Sequence, residues 1–143
     1  MSPAVASFVS FLRSYNPSDD ASPIATLYPV VALIENEESA PEAFDEIFAF
    51  FERYPDADLG APGPLVHLIE GHVGKYEDML ATSLKKKPSA ATVEMANRIL
   101  NAHRSTEEEA KLMGLLAGIA SDTSASDYVR GQAQHYHEYQ KKG

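Results

Sequence analysis

The chain has 143 residues, of which 44% are hydrophobic and none is cysteine. Its length and apolar content predict one folded domain rather than a disordered segment. The absence of cysteine excludes disulfides, zinc–thiolate centres and cysteine nucleophiles, and it is compatible with a reducing cytoplasm. No apolar stretch approaches the roughly 18 residues of a membrane-spanning helix, and no basic segment precedes the first apolar residues. We therefore expect a single cytoplasmic domain that does not enter a membrane.

The formal net charge of −9 is distributed unevenly along the chain. Residues 1–70 carry 12 acidic residues against Arg13 and Arg53, a balance of −10, whereas residues 71–143 have a balance of +1. Such a charge repels nucleic acid and attracts basic proteins. An acidic surface that only keeps the protein in solution is the alternative. The charge thus predicts a basic protein partner and no nucleic-acid partner.

Apolar residues recur at helical spacing along the whole chain, and no alternating strand pattern occurs. Between Pro41 and Pro55, for example, four apolar side chains form the stripe of a core-facing helix: Phe44, Ile47, Phe48 and Phe51. The predicted helices cover residues 3–15, 22–35, 42–54, 64–71, 75–87, 89–102, 106–121 and 125–140. The sequence therefore predicts an all-α fold, with Pro29 kinking or shortening the second helix.

Local signals mark several helix ends. Ser89 is a candidate N-cap, and Ser105 with Glu108 has the spacing of a capping box. Gly71 and Gly74 are expected to divide the region around residue 72 into two helices, because glycine disfavours a helix interior. One apolar stripe is predicted to continue through both helices, along Leu65, Leu68, Ile69, Val73, Tyr76, Leu80 and Leu84.

The last six predicted helices fall into three pairs joined by short linkers. The pairs are 42–54 with 64–71, 75–87 with 89–102, and 106–121 with 125–140. Helical hairpins repeated at a period of about 30 residues are typical of HEAT and armadillo solenoids. An irregular helical bundle is the alternative. The prediction is one all-α domain of antiparallel hairpins stacked as a short HEAT-like solenoid.

His67 and Glu70 are the first candidates for a catalytic or metal site. Their separation of three residues places them on one helical face, as in half of a di-iron site. The sequence has no second Glu-x-x-His pair, and apolar neighbours take the buried side of this helix. His67 and Glu70 are therefore expected to face away from the core, on a binding surface.

The remaining sequence offers no catalytic constellation. His135 and His137 are two residues apart, so on a helix their side chains point away from each other. His103 follows a predicted helix end, which it could cap. No phosphate-binding loop, nucleophile elbow or HExxH zinc motif occurs. We expect no catalysis, no metal and no other cofactor.

The acidic residues are concentrated between residues 35 and 58, where only Arg53 opposes them. Like charges three or four residues apart on a helix repel only weakly, so a helix tolerates such a surface. A negative helical face can pair with lysines and arginines of a partner and speed its association. The predicted partner-binding residues are Glu37, Glu38, Glu42, Asp45, Glu46, Glu52, Asp56, Asp58, His67 and Glu70.

Residues 63–101 contain "GPLVHLIE", "KYEDML", a Ser-Leu pair, "KKKP" and "TVEMANRILN" in succession. This order resembles the all-α immunity proteins of bacterial polymorphic-toxin and contact-dependent-inhibition systems. In those proteins an apolar "HLIE"-like helix precedes a helical hairpin that ends in "NRILN"-like residues. The resemblance rests on Gly63, Pro64, His67, Glu70, Pro88, Asn97, Arg98 and Asn101. It departs near Glu94, where an aromatic residue is expected.

The resemblance implies a small cytoplasmic protein, a monomer or weak dimer, that binds a cognate toxin domain and blocks it without catalysis. The charge agrees, because nuclease toxins are basic where they hold phosphates. Asn97, Arg98 and Asn101 are either interface residues or hydrogen-bond within the hairpin, with Arg98 pairing with Glu70. The alternative, from another functional class, is a HEAT-like scaffold or adaptor that binds a peptide or another protein.

Overall fold

The computed structural model describes residues 1–102 and 105–142, so the predicted cap at His103 lies outside the described residues. These residues form eight α-helices: α1 (Pro3–Ser14), α2 (Pro23–Ala32), α3 (Phe44–Arg53), α4 (Gly63–Glu70), α5 (Glu77–Lys86), α6 (Ala90–Asn101), α7 (Thr106–Ala120) and α8 (Asp127–Lys142). Short 3-10 helices cover Pro17–Asp19 and Ala40–Ala43. None of the described residues is in a β-strand, which confirms the all-α prediction.

Serine side chains cap α1, α6, α7 and α8; at the start of α8, Ser126 Oγ accepts the Val129 N–H at 3.1 Å. Ser2 Oγ accepts the Val5 N–H at the start of α1, at 3.2 Å. At the start of α6, Ser89 Oγ accepts the N–H of Thr92 at 3.1 Å, and Thr92 Oγ1 accepts the N–H of Ser89 at 2.9 Å. Ser105 Oγ accepts the N–H of Glu108 at 3.2 Å and caps α7. The caps predicted at Ser89 and Ser105 are confirmed.

The glycines at 71 and 74 separate α4 from α5 as predicted, but Val73 between them is not on the apolar stripe. Its side chain is 80% exposed. The chain between Glu70 and Glu77 forms turns rather than helix, so helical spacing places no side chain there toward the core. The prediction for Val73 is therefore wrong, whereas its six partners in the stripe are buried.

The turn that leads into α4 requires glycine. Gly60 has φ of 107° and Gly63 has φ of 83°, in the left-handed region that other residues avoid. A Cβ atom on Gly60 would lie 2.3 Å from the Cα of Gly63, which no packing permits. The turn lies between the helices predicted at 42–54 and 64–71, and α4 begins at Gly63, one residue before its predicted start, with Pro64 in its first turn.

One hydrophobic cluster contains buried residues from all eight α-helices. The aromatic side chains of α3 are its largest members, and Phe44, Phe50 and Phe51 are fully buried. Burial of this apolar surface is the main driving force for folding. The stripe predicted on this helix is confirmed, since Ile47 and Phe48 are buried as well.

The helices pack mainly with near neighbours in sequence. The closest backbone contacts join α1 to α3, α3 to α5, α5 to α6 and α7, and α8 to both α6 and α7. Helix α4 packs beside α2 instead of closing a hairpin with α3. Within the part of the chain that the structure describes, no helix is long and apolar enough to cross a membrane.

Candidate functional site

Glu46, one of the predicted interface acids, holds α1 and α3 together. Its carboxylate accepts from Arg13 Nε at 2.6 Å and from Arg53 Nη1 at 3.2 Å, and its side chain is only 13% exposed. Burial raises the pKa of Glu46, but the hydrogen bonds from the two arginines outweigh it and lower the pKa below its usual range. Both basic residues of the first 70 are thus engaged with one carboxylate.

Glu52 and Glu37 also make internal bonds. Glu52 accepts from Ser83 Oγ at 2.8 Å and lies 3.3 Å from Lys86 Nζ, which joins α3 to α5. Glu37 accepts from Ser2 Oγ at 2.7 Å and fixes the loop after α2 to the start of α1. These carboxylates stabilise helix packing, so they are poorly placed to meet a partner.

Glu70, a predicted partner-binding residue, pairs with Arg98, which was one of the two alternatives for Arg98. Arg98 Nε lies 2.8 Å and 3.0 Å from the two carboxylate oxygens, which links α4 to α6. The hydrogen bond to Glu70 raises the pKa of Arg98. Tyr76 lies beside this pair; burial, followed by the charges of Glu77 and Glu70, raises the pKa of Tyr76 to about 12. Glu70 is therefore an interhelical brace, whereas His67 on the same helix is exposed.

Asn97 and Asn101, for which the same two alternatives as for Arg98 were open, bond to the last helix. Gln140 Nε2 on α8 donates to the side-chain oxygens of Asn97 at 2.8 Å and Asn101 at 2.7 Å. These bonds run from α6 to α8 rather than within the α5–α6 hairpin. The amide oxygens are thus used inside the fold.

Four acids between residues 35 and 45 are exposed. They form the acidic face, which we define as Glu35, Glu38, Glu42 and Asp45. Glu42 lies 3.4 Å from the amino group of Met1. Glu38 and Asp45 have no ion-pair or hydrogen-bond partner for their carboxylates among the described residues. Apart from Glu42, the acidic face therefore presents negative charge that no cation of the described residues neutralises.

A groove between α3 and α5 extends the acidic face. It has a volume of about 410 Å³, and Asp45 lies on its α3 wall. Phe48, Ala49 and Met79 supply apolar surface, and the α5 wall carries Asp78 and also Lys86, which is paired with Glu52 of α3. Apolar surface with acidic walls can accept a segment that is both apolar and basic.

A second cavity, which we call the tyrosine cleft, lies between residues 56–61, α6 and α8. Its volume is about 420 Å³. Asp56 and Asp58 line one side, Glu94 of α6 lines another, and Tyr128 and Tyr136 of α8 close the third. The cleft unites two predicted interface acids with three residues that were not predicted.

The charges of the tyrosine cleft influence one another. Burial is the main cause that raises the pKa of Glu94; Glu70 and Asp58 add to it, and Arg98 opposes it. Burial also raises the pKa of Tyr136, with further contributions from Glu94 and Tyr128. The negative charge of Glu94 is therefore costly, because this side chain is partly removed from water and faces the charges of Glu70 and Asp58.

Local hydrogen bonds shape the rim of the tyrosine cleft. Asp56 accepts from Ser126 Oγ at 2.5 Å, and Asp58 accepts the N–H of Gly60 at 3.1 Å. Gln132 Nε2 donates to the Tyr128 hydroxyl at 2.9 Å. The sequence contained a signal for this wall, since Tyr128, Gln132 and Tyr136 recur every four residues on one helical face. Glu94 carried no such signal, because one acid in an amphipathic helix is ordinary.

The remaining charged and metal-ligating side chains form no further site among the described residues. Within residues 1–102 and 105–142, no three His, Asp or Glu side chains are grouped so that they could hold a metal ion. The seven lysines of the chain are all exposed, and all lie beyond residue 74: Lys75, Lys85, Lys86, Lys87, Lys111, Lys141 and Lys142. The exposed surface therefore keeps the charge asymmetry of the sequence.

No protein-family model matches this chain, and no curated protein or solved structure is significantly similar to it.

Proposed function

We propose that this protein is an immunity protein that binds a cognate bacterial toxin domain and neutralises it by occlusion, without catalysis. The observation that carries the proposal is the acidic face, where Glu38 and Asp45 are exposed and have no internal partner. A basic toxin surface would supply the missing counter-charges and would associate rapidly. The resemblance of residues 63–101 to immunity proteins supports the same class.

The α3–α5 groove supports binding of a protein rather than of a small ion. It places apolar Phe48, Ala49 and Met79 between acidic walls that carry Asp45 and Asp78. Protein interfaces combine an apolar centre with a polar rim in this way. We infer that the toxin contacts the acidic face and this groove together, and that Glu46, Glu52 and Glu70 act only by holding the helices in place.

The proposal includes the arrangement of the helices and the location of the protein. We propose that α3 to α8 form a short HEAT-like stack, in a cytoplasmic monomer or weak dimer. The contacts of α3 with α5, of α5 with α7 and of α6 with α8 support a stack, because equivalent helices of successive hairpins meet in a solenoid. The pairing of α4 with α2 makes the first repeat irregular.

The test measures binding to the toxin domain encoded by the gene immediately upstream. The triple variant Glu38→Lys, Asp45→Lys and Asp78→Lys reverses three exposed acids of the face and groove. We expect its affinity to fall by about 100-fold or more, because like charges then oppose each other across the interface. Isothermal titration calorimetry gives the affinity, and co-expression with the toxin gives the protection.

A matched control reverses the same number of charges elsewhere. Glu107, Glu108 and Glu138 are exposed, and the first two lie in the first turn of α7, as Asp45 and Asp78 lie in the first turns of α3 and α5. The control triple variant should bind normally. If the folded test variant binds the toxin normally, the acidic face is not the binding surface. A neighbouring gene that encodes no toxin domain would favour a scaffold or adaptor instead.

A further inference from the structure

The tyrosine cleft carries negative charge without a counter-charge of its own. Among the described residues that line it, three are carboxylates and none is a lysine or arginine. Its volume of about 420 Å³ lies within the range of about 300–1,000 Å³ that is typical of small-ligand pockets. Aromatic walls with unbalanced negative charge favour an organic cation over an anion or a neutral ligand.

Glu94 is the central charge of the cleft. It is half-buried on α6, and its carboxylate makes no hydrogen bond or ion pair within the described residues. Arg98, one turn further along the helix, is turned to Glu70. A carboxylate that has lost part of its water and gained no partner is stabilised by a cation that enters the cleft.

The two tyrosines provide aromatic surface for such a cation. Tyr128 is 54% exposed, and Tyr136 is half-buried two turns further along α8. A guanidinium group is planar and weakly hydrated, so it stacks on aromatic rings while its N–H groups bond to carboxylates. An ammonium group is more strongly hydrated and loses more on entering.

We propose that the tyrosine cleft binds a guanidinium group carried on an aliphatic stem, with Glu94 as its counter-charge and Tyr128 and Tyr136 as its aromatic walls. Asp56 and Asp58 at the rim add negative potential that attracts the cation. The site is separate from the acidic face and needs no toxin, so its test is independent of the proposed function.

The test is an NMR titration of the full chain, labelled with ¹⁵N, with Nα-acetyl-L-argininamide (argininamide below) and with Nα-acetyl-L-citrullinamide (citrullinamide below), in which a neutral urea replaces the guanidinium; lysinamide is acetylated in the same way. We expect saturable shifts from argininamide that are confined to residues 56–61, the first turns of α6 and the Tyr128–Tyr136 segment of α8. Citrullinamide should cause none, because it lacks the charge that pairs with Glu94. Lysinamide should bind several-fold more weakly than argininamide.

Variants then identify the groups that bind. Glu94→Gln keeps the size of the side chain and should weaken argininamide binding by about tenfold or more. Tyr128→Leu should weaken it by about three- to tenfold through loss of the aromatic face. Glu138→Gln is the matched control, since it removes one charge from α8 outside the cleft and should leave the affinity unchanged.

Three results would overturn the site: no saturable shift, equal binding of citrullinamide, or full affinity in the folded Glu94→Gln variant. Lysinamide binding as tight as argininamide would overturn the choice of guanidinium. A capped Gly-Arg-Gly peptide separates the two sources of the ligand. Binding equal to that of argininamide supports an arginine side chain of a protein, and much weaker binding supports a free guanidine compound.

Discussion

At the scale of single residues, the predicted interface acids divide by their partners. Those that bond to arginine, lysine or serine, such as Glu46 and Glu52, join one helix to another. Those without such bonds, such as Glu38 and Asp45, remain available to another molecule. The sequence predicted that this surface is negatively charged. It did not predict which acids are paired inside the fold, because that depends on which cation lies near each carboxylate in three dimensions.

The Glu70–Arg98 pair should contribute measurably to stability. Arg98→Met should lower the free energy of unfolding by about 1 kcal/mol, because it leaves Glu70 without the guanidinium whose Nε contacts both of its oxygens, while solvent screens the partly exposed pair. Glu70→Gln should lower the free energy of unfolding by about as much. The double variant should lose less than the sum of the two single losses. Urea unfolding of the four proteins measures this coupling. Strictly additive costs would contradict an energetic link between α4 and α6.

Glu94→Gln should raise stability at neutral pH. In the folded protein burial holds the pKa of Glu94 above the ordinary value of 4.5, so the native state binds its proton more tightly than the unfolded chain does. Ionised Glu94 therefore costs stability once the pH rises above the folded pKa, and this cost disappears below the ordinary pKa. The variant should gain stability at pH 7 and match the native sequence in acid.

Thermal unfolding across this pH range provides the measurement for Glu94, with Glu138→Gln as the exposed control. A lower melting temperature of the Glu94→Gln variant at pH 7 would show that Glu94 stabilises the fold. Together with weaker argininamide binding, a gain in stability would distinguish a binding residue from a structural one, since functional groups are often held at a cost in stability.

At the scale of elements, two glycines with a left-handed backbone can be compared: Gly60 in the turn before α4, and Gly74 between α4 and α5. Gly60→Ala should cost more than about 3 kcal/mol or prevent folding, because its Cβ would collide with the backbone of Gly63. Gly74→Ala has the same backbone preference, with φ of 93°, but its Cβ would meet open space. It should cost only about 1–2 kcal/mol for the left-handed conformation. Chemical denaturation compares the two, and equal costs would contradict the collision.

The elements were largely predictable from local chemistry, and their exceptions have local causes. The stripe on α3, the caps at Ser89 and Ser105 and the break at Gly71 follow from side-chain spacing and capping alone. The prediction that Val73 is buried was wrong, because it extended the helical spacing through the turns between α4 and α5. The partner of α4 was not predictable, because apolar residues such as Leu65 specify that a face is buried but not which helix buries it.

The functional site was predictable to a smaller extent than the fold. The pairing of Arg98 with Glu70 was foreseen as one of two alternatives because the two residues lie on neighbouring helices with opposite charges. The tyrosine cleft was missed because it joins residues 56–61 to α8, which are about 70 positions apart in sequence. Spacing along one helix cannot reveal a cavity whose walls come from three segments.

At the scale of the whole molecule, the shared core predicts a single unfolding transition. Because one hydrophobic cluster includes all eight helices, no helix should melt separately from the rest. Far-ultraviolet circular dichroism and tyrosine fluorescence should therefore give coincident transitions, with a calorimetric enthalpy of about 100 kcal/mol near 60 °C. Two separated transitions would show that the N-terminal helices and the α5–α8 part unfold independently.

The confinement of the exposed lysines to residues 75–142 determines how the protein can be attached to a surface. Reagents that couple amines would join it to a sensor chip through this half, with the amino group of Met1 as the one competing site in the acidic half. Acetylation of that amino group would leave only lysine attachment. Lys86 lies in the α3–α5 groove beside Glu52, so coupling through this lysine would cover the groove, and a Lys86→Arg variant would leave it open to solution.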